Sequence, residues 1–193
     1  MFLSLVAALS IPATAATWEV DGVHSQVGFS VTHMTVSTVR GTFGAVSGTI
    51  EYDPANPTAA KFSGKVGIAS VDTNNADRDA HLVSPDFFDV AKFPEMSFES
   101  KSVRNVTATG FELVGDLTLR GVRKEVVFKV AKLAPEMTDP WGAVKSGTTA
   151  TTVINRKDYG VLWNKTLDNG GTMLADEVTI TLNIEADAAQ PAK

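Results

Sequence analysis

Apolar and polar residues alternate with period two along most of this chain. Val27, Phe29, Val31 and His33 alternate with Gly28, Ser30, Thr32 and Met34. The same alternation recurs at Val46, Gly48, Ile50 and Tyr52, and at Phe62, Gly64, Val66 and Ile68. It returns at Phe111 to Leu119, at Val126, Phe128 and Val130, and at Val178, Ile180, Leu182 and Ile184. Successive side chains of a strand point to opposite faces, so each set puts an apolar row on one side and a polar row on the other. That is the pattern of an antiparallel sheet with one wet face. Several such strands must stack as a sandwich or close into a barrel. Length favours closure, since an unbroken strand over 36–53 would reach about 60 Å at roughly 3.3 Å per residue. Recurrent glycines at Gly41, Gly44, Gly48, Gly64, Gly67 and Gly115 point the same way, because strand glycines commonly mark bulges and bends. The expected fold is all-β, a single antiparallel lipocalin-like barrel of about eight strands. A barrel of that size is filled by side chains or holds one small ligand.

Two stretches break the alternation. Residues 75–83 carry early aspartates, follow Asn74 and Asn75 as candidate caps, and stop before Pro85, which predicts a short helix. A further helical turn is expected at Asn155 to Tyr159.

The chain ends add a topological expectation. An apolar run from Phe2 to Ile11, then Pro12 and the small-x-small Ala13-Thr14-Ala15, has the shape of a secretory signal peptide and is too short to span a bilayer. The expected organisation is a leader over 1–16, a barrel domain over 17–187 and a disordered tail over 188–193. Composition then narrows the function. With 44% apolar and 20% charged residues the chain is expected to fold into a globular domain. A net charge of −5 argues against a nucleic-acid surface and against electrostatic docking on an anionic membrane. The absence of cysteine removes disulfides, thiolate nucleophiles and cysteine metal sites.

No nucleophile elbow, phosphate loop or dinucleotide fingerprint occurs. Asp72-Thr73-Asn74 opens like a calcium loop, but Asp77 stands where glycine is needed and Val83 where the closing glutamate belongs. The three histidines have no metal-ligand spacing, and His24 and His33 would face opposite sides of an unbroken strand. Arg78, Asp79 and His81 form a dense polar cluster. It reads first as a clasp between helix and barrel rim, and second as a rim site for a polar head group with Arg78 as the anion partner. Asn105-Val106-Thr107 and Asn164-Lys165-Thr166 match the glycosylation sequon, a pattern frequent by chance. Aromatic residues recur along nearly every segment, more than a filled interior accommodates, so some are expected to line a tunnel.

These residues in order resemble the YceI-like polyisoprenoid-binding family. The resemblance is carried by Trp18 with Asp21-x-x-His24-Ser25, Phe29-x-Val31-x-His33, and Val39-x-Gly41-x-Phe43. Its most specific part is Asp77-Arg78-Asp79-x-His81-Leu82 through Ser84-x-Asp86-Phe87-Phe88-Asp89-Val90 to Phe93-Pro94-x-Met96-x-Phe98. Gly115 to Val122 and Asn155-Arg156-x-x-Tyr159-Gly160 complete it. The polar loop from Trp163 to Gly171 is where the resemblance is loosest. It implies an exported, periplasmic or secreted, barrel with an apolar tunnel, a bound isoprenoid such as a quinone or a prenyl phosphate, no other cofactor, frequent homodimers and no catalysis. On that basis Phe29, Val31, Phe43, Phe87, Phe98, Leu117, Trp141, Trp163 and Leu182 are the expected wall residues. Arg78, Asp79, His81 and His24 form the candidate head-group or structural cluster. The alternatives are a lipid-modifying enzyme using His24, His81 and Asp79, or a stress-related barrel packed solid.

Overall fold

The computed structural model describes residues 16–168 and 170–189, so the expected leader run and its cleavage signal lie outside the described residues. The chain is a closed antiparallel barrel of eight staves, several of them made of two collinear strands. The first stave is β1 (Ala16–Val20) and β2 (Gln26–His33), interrupted at 21–25. The second is β3 (Ser37–Phe43) and β4 (Val46–Tyr52), so the strand expected over 36–53 is broken at Gly44-Ala45. In the third, β5 (Lys61–Gly67) pairs with β4 and β6 (Val71–Asp72) with β3. Then come β7 (Glu95–Arg104), β8 (Gly110–Leu119) and β9 (Val122–Ala131). After the short β10 (Met137–Thr138), β11 (Val144–Asn155) and β12 (Leu174–Ala188) complete the ring. Closure comes from β12, which pairs along one edge with β11 and along the other with β2 and β1. Neighbouring staves are neighbours in sequence, the simplest way to remove exposed sheet edges.

The barrel reaches one residue further at each end than 17–187. Ala16 pairs with Tyr52, and Ala188, expected in the tail, pairs with Trp18. The seam between β9 and β11 has only two paired positions, Ala150 with Val130 and Thr151 with Lys129. Side chains take over elsewhere. Thr148 and Thr152 donate their hydroxyls to the carbonyls of Ala131 (2.7 Å) and Val127 (2.8 Å), and Ser146 donates to Ala134 (2.8 Å). Those bonds satisfy backbone acceptors that the ladder leaves open.

The helix α1 (Ala76–Val83) forms within one residue of its expected span. Asn75 caps it, its side chain accepting from the Arg78 amide at 2.9 Å. Asp77 and Asp79 in the first turn and His81 in the last suit the helix dipole. The expected second turn is a 3₁₀ turn at Arg156–Tyr159, with the Asn155 side chain accepting from the Lys157 amide.

The two ends of the barrel differ. At the end where β12 terminates, Phe111 packs on Tyr52 and Phe62, with ring centroids 6.4 Å and 6.0 Å apart. Trp18, Ile50 and Ala186 form a second buried cluster there. The opposite end carries α1, the β8–β9 turn and the stretch from 156 to 174. Arg120 binds these together, donating to the carbonyls of Gly160 and Pro85. The tight turn between β2 and β3 holds Met34 and Thr35 both left-handed, at φ 53° and 58°.

Candidate functional site

The inward rows of the staves do not meet at the centre. They enclose a cavity of about 470 Å³, a volume typical of small-molecule sites, lined predominantly by apolar side chains. Register explains its wall. Gly48, Gly64, Phe98 and Leu117 stand side by side across β4, β5, β7 and β8. Gly64 leaves space that the aromatic ring and the leucine border, whereas Gly48 lets the β5 backbone at Ser63 approach closely. On the opposite side Val27, Phe29 and Val31 face inward beside Leu182, Ile180 and Val178. Phe98 is held edge-on against Phe128, centroids 5.2 Å apart, and Phe43 contacts both Phe29 and Phe88.

Of the nine expected wall residues, Phe29, Val31, Phe43, Phe87, Phe98, Leu117, Trp163 and Leu182 border the cavity. Trp141 does not, and that expectation is corrected. It is 88% exposed in the turn before β11, where the Asp139 carboxylate accepts from the amides of Trp141 and Ala143. A Pro-Trp-Gly sequence after an aspartate is turn chemistry, and a turn points its residues outward.

The polar cluster separates into three parts. Arg78 and His81 border the cavity at the α1 end. Arg78 donates from Nε to the Thr73 hydroxyl and from Nη2 to the Thr73 carbonyl, both at 2.7 Å. Asp79 accepts from the same Thr73 hydroxyl (2.6 Å) and from its amide (3.0 Å). Helix and rim are thus clasped through Thr73, and Asp79 positions Arg78 by holding that hydroxyl. Arg78 has no carboxylate partner among the described ion pairs. His81 bonds Asp86 at 2.9 Å and lies edge-on to Phe87 and Trp163, centroids 4.9 Å and 5.1 Å away.

His24 joins none of them. It lies outside the barrel at the break between β1 and β2, with Nδ1 2.7 Å from Asp21 and 3.7 Å from Glu185. Asp21, His24 and Glu185 converge closely enough to hold an ion. The Lys145 ammonium, however, already sits 3.1 Å from Asp21, 3.1 Å from Glu185 and 2.7 Å from Asp187. It supplies the positive charge a cation would bring. The hydrogen bond from His24, with Lys145 nearby, holds the Asp21 carboxyl well below its usual range. Asp187, Asp21 and Glu185 together push the Lys145 ammonium up. The Asp21 hydrogen bond, reinforced by its charge and that of Glu185, raises His24 above its ordinary 6.5. A group with a raised folded pKa contributes stability that is complete below the unfolded value and is lost as pH rises through the folded one. The melting temperature is therefore expected to fall as pH rises from 6 through and beyond that raised value. His24→Ala removes this slope, as thermal unfolding across the pH series reads directly.

Sequence reasoning missed Arg156 as an anchor. It is 5% exposed and borders the cavity. Nε donates to Ala175 O (2.9 Å), and Nη1 to both Val161 O and Trp163 O (2.8 Å each). Nη2 is 3.4 Å from Asp176. Burial lowers its pKa, with Asp176 opposing the shift. One guanidinium thereby fixes both ends of the long loop before β12, and with it Trp163.

Fold and cavity define a class, the small closed β-barrels built around an internal apolar ligand space. Within that class the chain belongs to the YceI-like domain family, which matches residues 18–186. A UPF0312 protein of Pseudomonas savastanoi pv. phaseolicola is 40% identical over 151 residues, covering 77% of this chain and 78% of its own. Burkholderia cenocepacia BcnA superposes with a TM-score of 0.74 at 22% identity, over 86% of this chain and 98% of its own. A polyisoprenoid binding domain from Saccharophagus degradans superposes at 0.63 with 17% identity, over 91% of this chain and 99% of its own. Among the described residues, no helix is long and apolar enough to cross a membrane.

Proposed function

We propose that this chain is an exported carrier that holds one long-chain isoprenoid, a quinone or a prenyl phosphate, inside its barrel. The observation that carries the reading is the cavity, closed by aromatic packing at one end and bordered by Arg78, His81 and Trp163 at the other. An apolar chain lies along the inner rows, and the head group stays by Arg78 and His81. Each buried CH₂ contributes roughly 0.8 kcal/mol, so a many-carbon tail binds tightly with few polar contacts. The binding property of the Saccharophagus domain favours this ligand class. The chain acts in the periplasm or outside the cell, with no nucleic-acid partner, and self-associates as a homodimer.

The enzyme alternative loses its proposed constellation. His24 bonds Asp21, His81 bonds Asp86 and Asp79 bonds Thr73, so the three residues serve separate contacts. A solid-packed barrel is disfavoured by the cavity volume itself.

Trp163 reports on occupancy because it borders the cavity while Trp18 and Trp141 do not. Adding an isoprenoid quinone from detergent to lipid-stripped protein is expected to quench tryptophan emission saturably, and Trp163→Phe to remove most of that signal. Quenching of equal size in Trp163→Phe, or none in the wild type, contradicts the proposal.

A further inference from the structure

We propose that the α1 end of the barrel docks on a bilayer of neutral headgroups, and that the apolar chain enters and leaves there. This rests on the lipid-holding reading above. Four observations carry it. First, two segments bordering that end of the cavity turn apolar side chains outward. Val36 is 84% exposed and Met34 39% in the β2–β3 turn, and Leu162 is 64% exposed beside the cavity residues Val161 and Trp163. Second, these segments are joined, not loose. The Met34 amide donates to Met173 O at 2.7 Å, the Met173 amide donates to Lys165 O, and Met173 itself borders the cavity. The exposed apolar rim is thus continuous with the apolar interior.

Third, the turn spends conformational energy on displaying these residues. A left-handed pair is ordinarily Asn-Gly, whereas here methionine and a β-branched threonine occupy it. Fourth, the two protruding segments carry little charge, since residues 33–37 and 161–174 contain one lysine, one aspartate and one histidine. The charges at this end stand on and beside α1 instead, where Asp72, Asp77 and Asp86 are exposed and acidic side chains outnumber Arg78. Protruding aliphatic side chains beside an acidic helix suit shallow insertion between neutral headgroups and disfavour anionic lipid. An isoprenoid tail is insoluble in water, so direct contact of rim and bilayer spares it an aqueous step.

The test uses the protein as the producing cell processes it, with vesicles of phosphatidylcholine and phosphatidylethanolamine carrying a fluorescent prenyl chain. Transfer from vesicle to protein is timed for the wild type, for Val36→Asp/Leu162→Asp, and for Trp141→Asp. Trp141 is the most exposed aromatic side chain among the described residues but lies at the barrel end where β12 terminates, which makes it the control for general surface hydrophobicity. The expected result is at least a tenfold slower transfer in the double variant, unchanged transfer in Trp141→Asp, and equal uptake by all three when the same chain is delivered from detergent. Equal transfer rates for wild type and double variant overturn the proposal. So does a wild type that takes the chain from detergent but not from bare vesicles, which points to a protein partner instead. A wild type that takes up no chain even from detergent defeats the lipid-holding reading and the docking proposal with it.

Discussion

Gly64→Phe is expected to exclude the lipid while leaving the barrel folded. Gly64 lies on the inner row of β5 between Gly48 and Phe98 and borders the cavity. A Cβ at that position meets only the Ser47 carbonyl oxygen, 3.6 Å away, which is ordinary contact. The backbone there is not left-handed, so a side chain is accepted without strain. A benzyl group therefore enters space the proposed tail occupies. Displacing one five-carbon unit removes roughly 4 kcal/mol of burial, or about three powers of ten in affinity. Leu117→Arg acts on the same wall more severely. Leu117 is 5% exposed beside Phe98, so a charge there is buried without a partner and the fold itself is strained. Comparing the two separates loss of cavity space from loss of fold. Lys101→Ala, an exposed change on the outside, is expected to keep the lipid. Isoprenoid retention after detergent washing, measured beside circular dichroism, reads all three. Full retention in Gly64→Phe would place the ligand elsewhere.

Arg156→Ala is expected to be the most destabilising single change outside the apolar interior. Truncation strands the carbonyls of Val161, Trp163 and Ala175 and leaves Asp176 with only Lys157. Losing a buried cation with that many acceptors costs about 3–5 kcal/mol. For a domain of this length that corresponds to a fall of roughly 10–15 °C in Tm. Arg156→Lys recovers little, because a single ammonium cannot span carbonyls reached by Nε and Nη1 in a fixed fork. The loop holding Trp163 is released, so its emission shifts toward that of exposed indole before global unfolding. A variant melting within 2 °C of wild type contradicts the assignment of Arg156 as the anchor of the loop.

The pattern along the chain made some parts of this structure legible and concealed others. β2 and β12 are evident because their inward rows are large and apolar, from Val27 to Val31 and from Val178 to Ile184, against hydroxyl or amide neighbours. Asn75 and Pro85 located α1 because a cap and a breaker act locally. β11 is the opposite case. Before Ile154 its buried positions Ser146, Ala150 and Thr152 are small or hydroxylic, Thr148 and Thr152 bridge the β9 seam, and too little apolar alternation survives to mark the strand. Arg156 is invisible for a related reason. An arginine that serves carbonyls up to nineteen residues away has the same local sequence context as one in solvent. His24 shares only its residue type with His81. Its partners Glu185 and Lys145 are brought to it only by closure of the barrel. Trp141 stands in an Asp-Pro-Trp-Gly sequence, a local turn signal that turns even a large aromatic side chain outward.

The most direct test of the central claim is mass spectrometry of an organic extract of the purified protein, calibrated against protein concentration. The account predicts an isoprenoid quinone or prenyl phosphate near one per barrel in the wild type, and a sharply reduced amount in Gly64→Phe. An extract without lipid, from protein that also takes none up when isoprenoids are supplied in detergent, would contradict it.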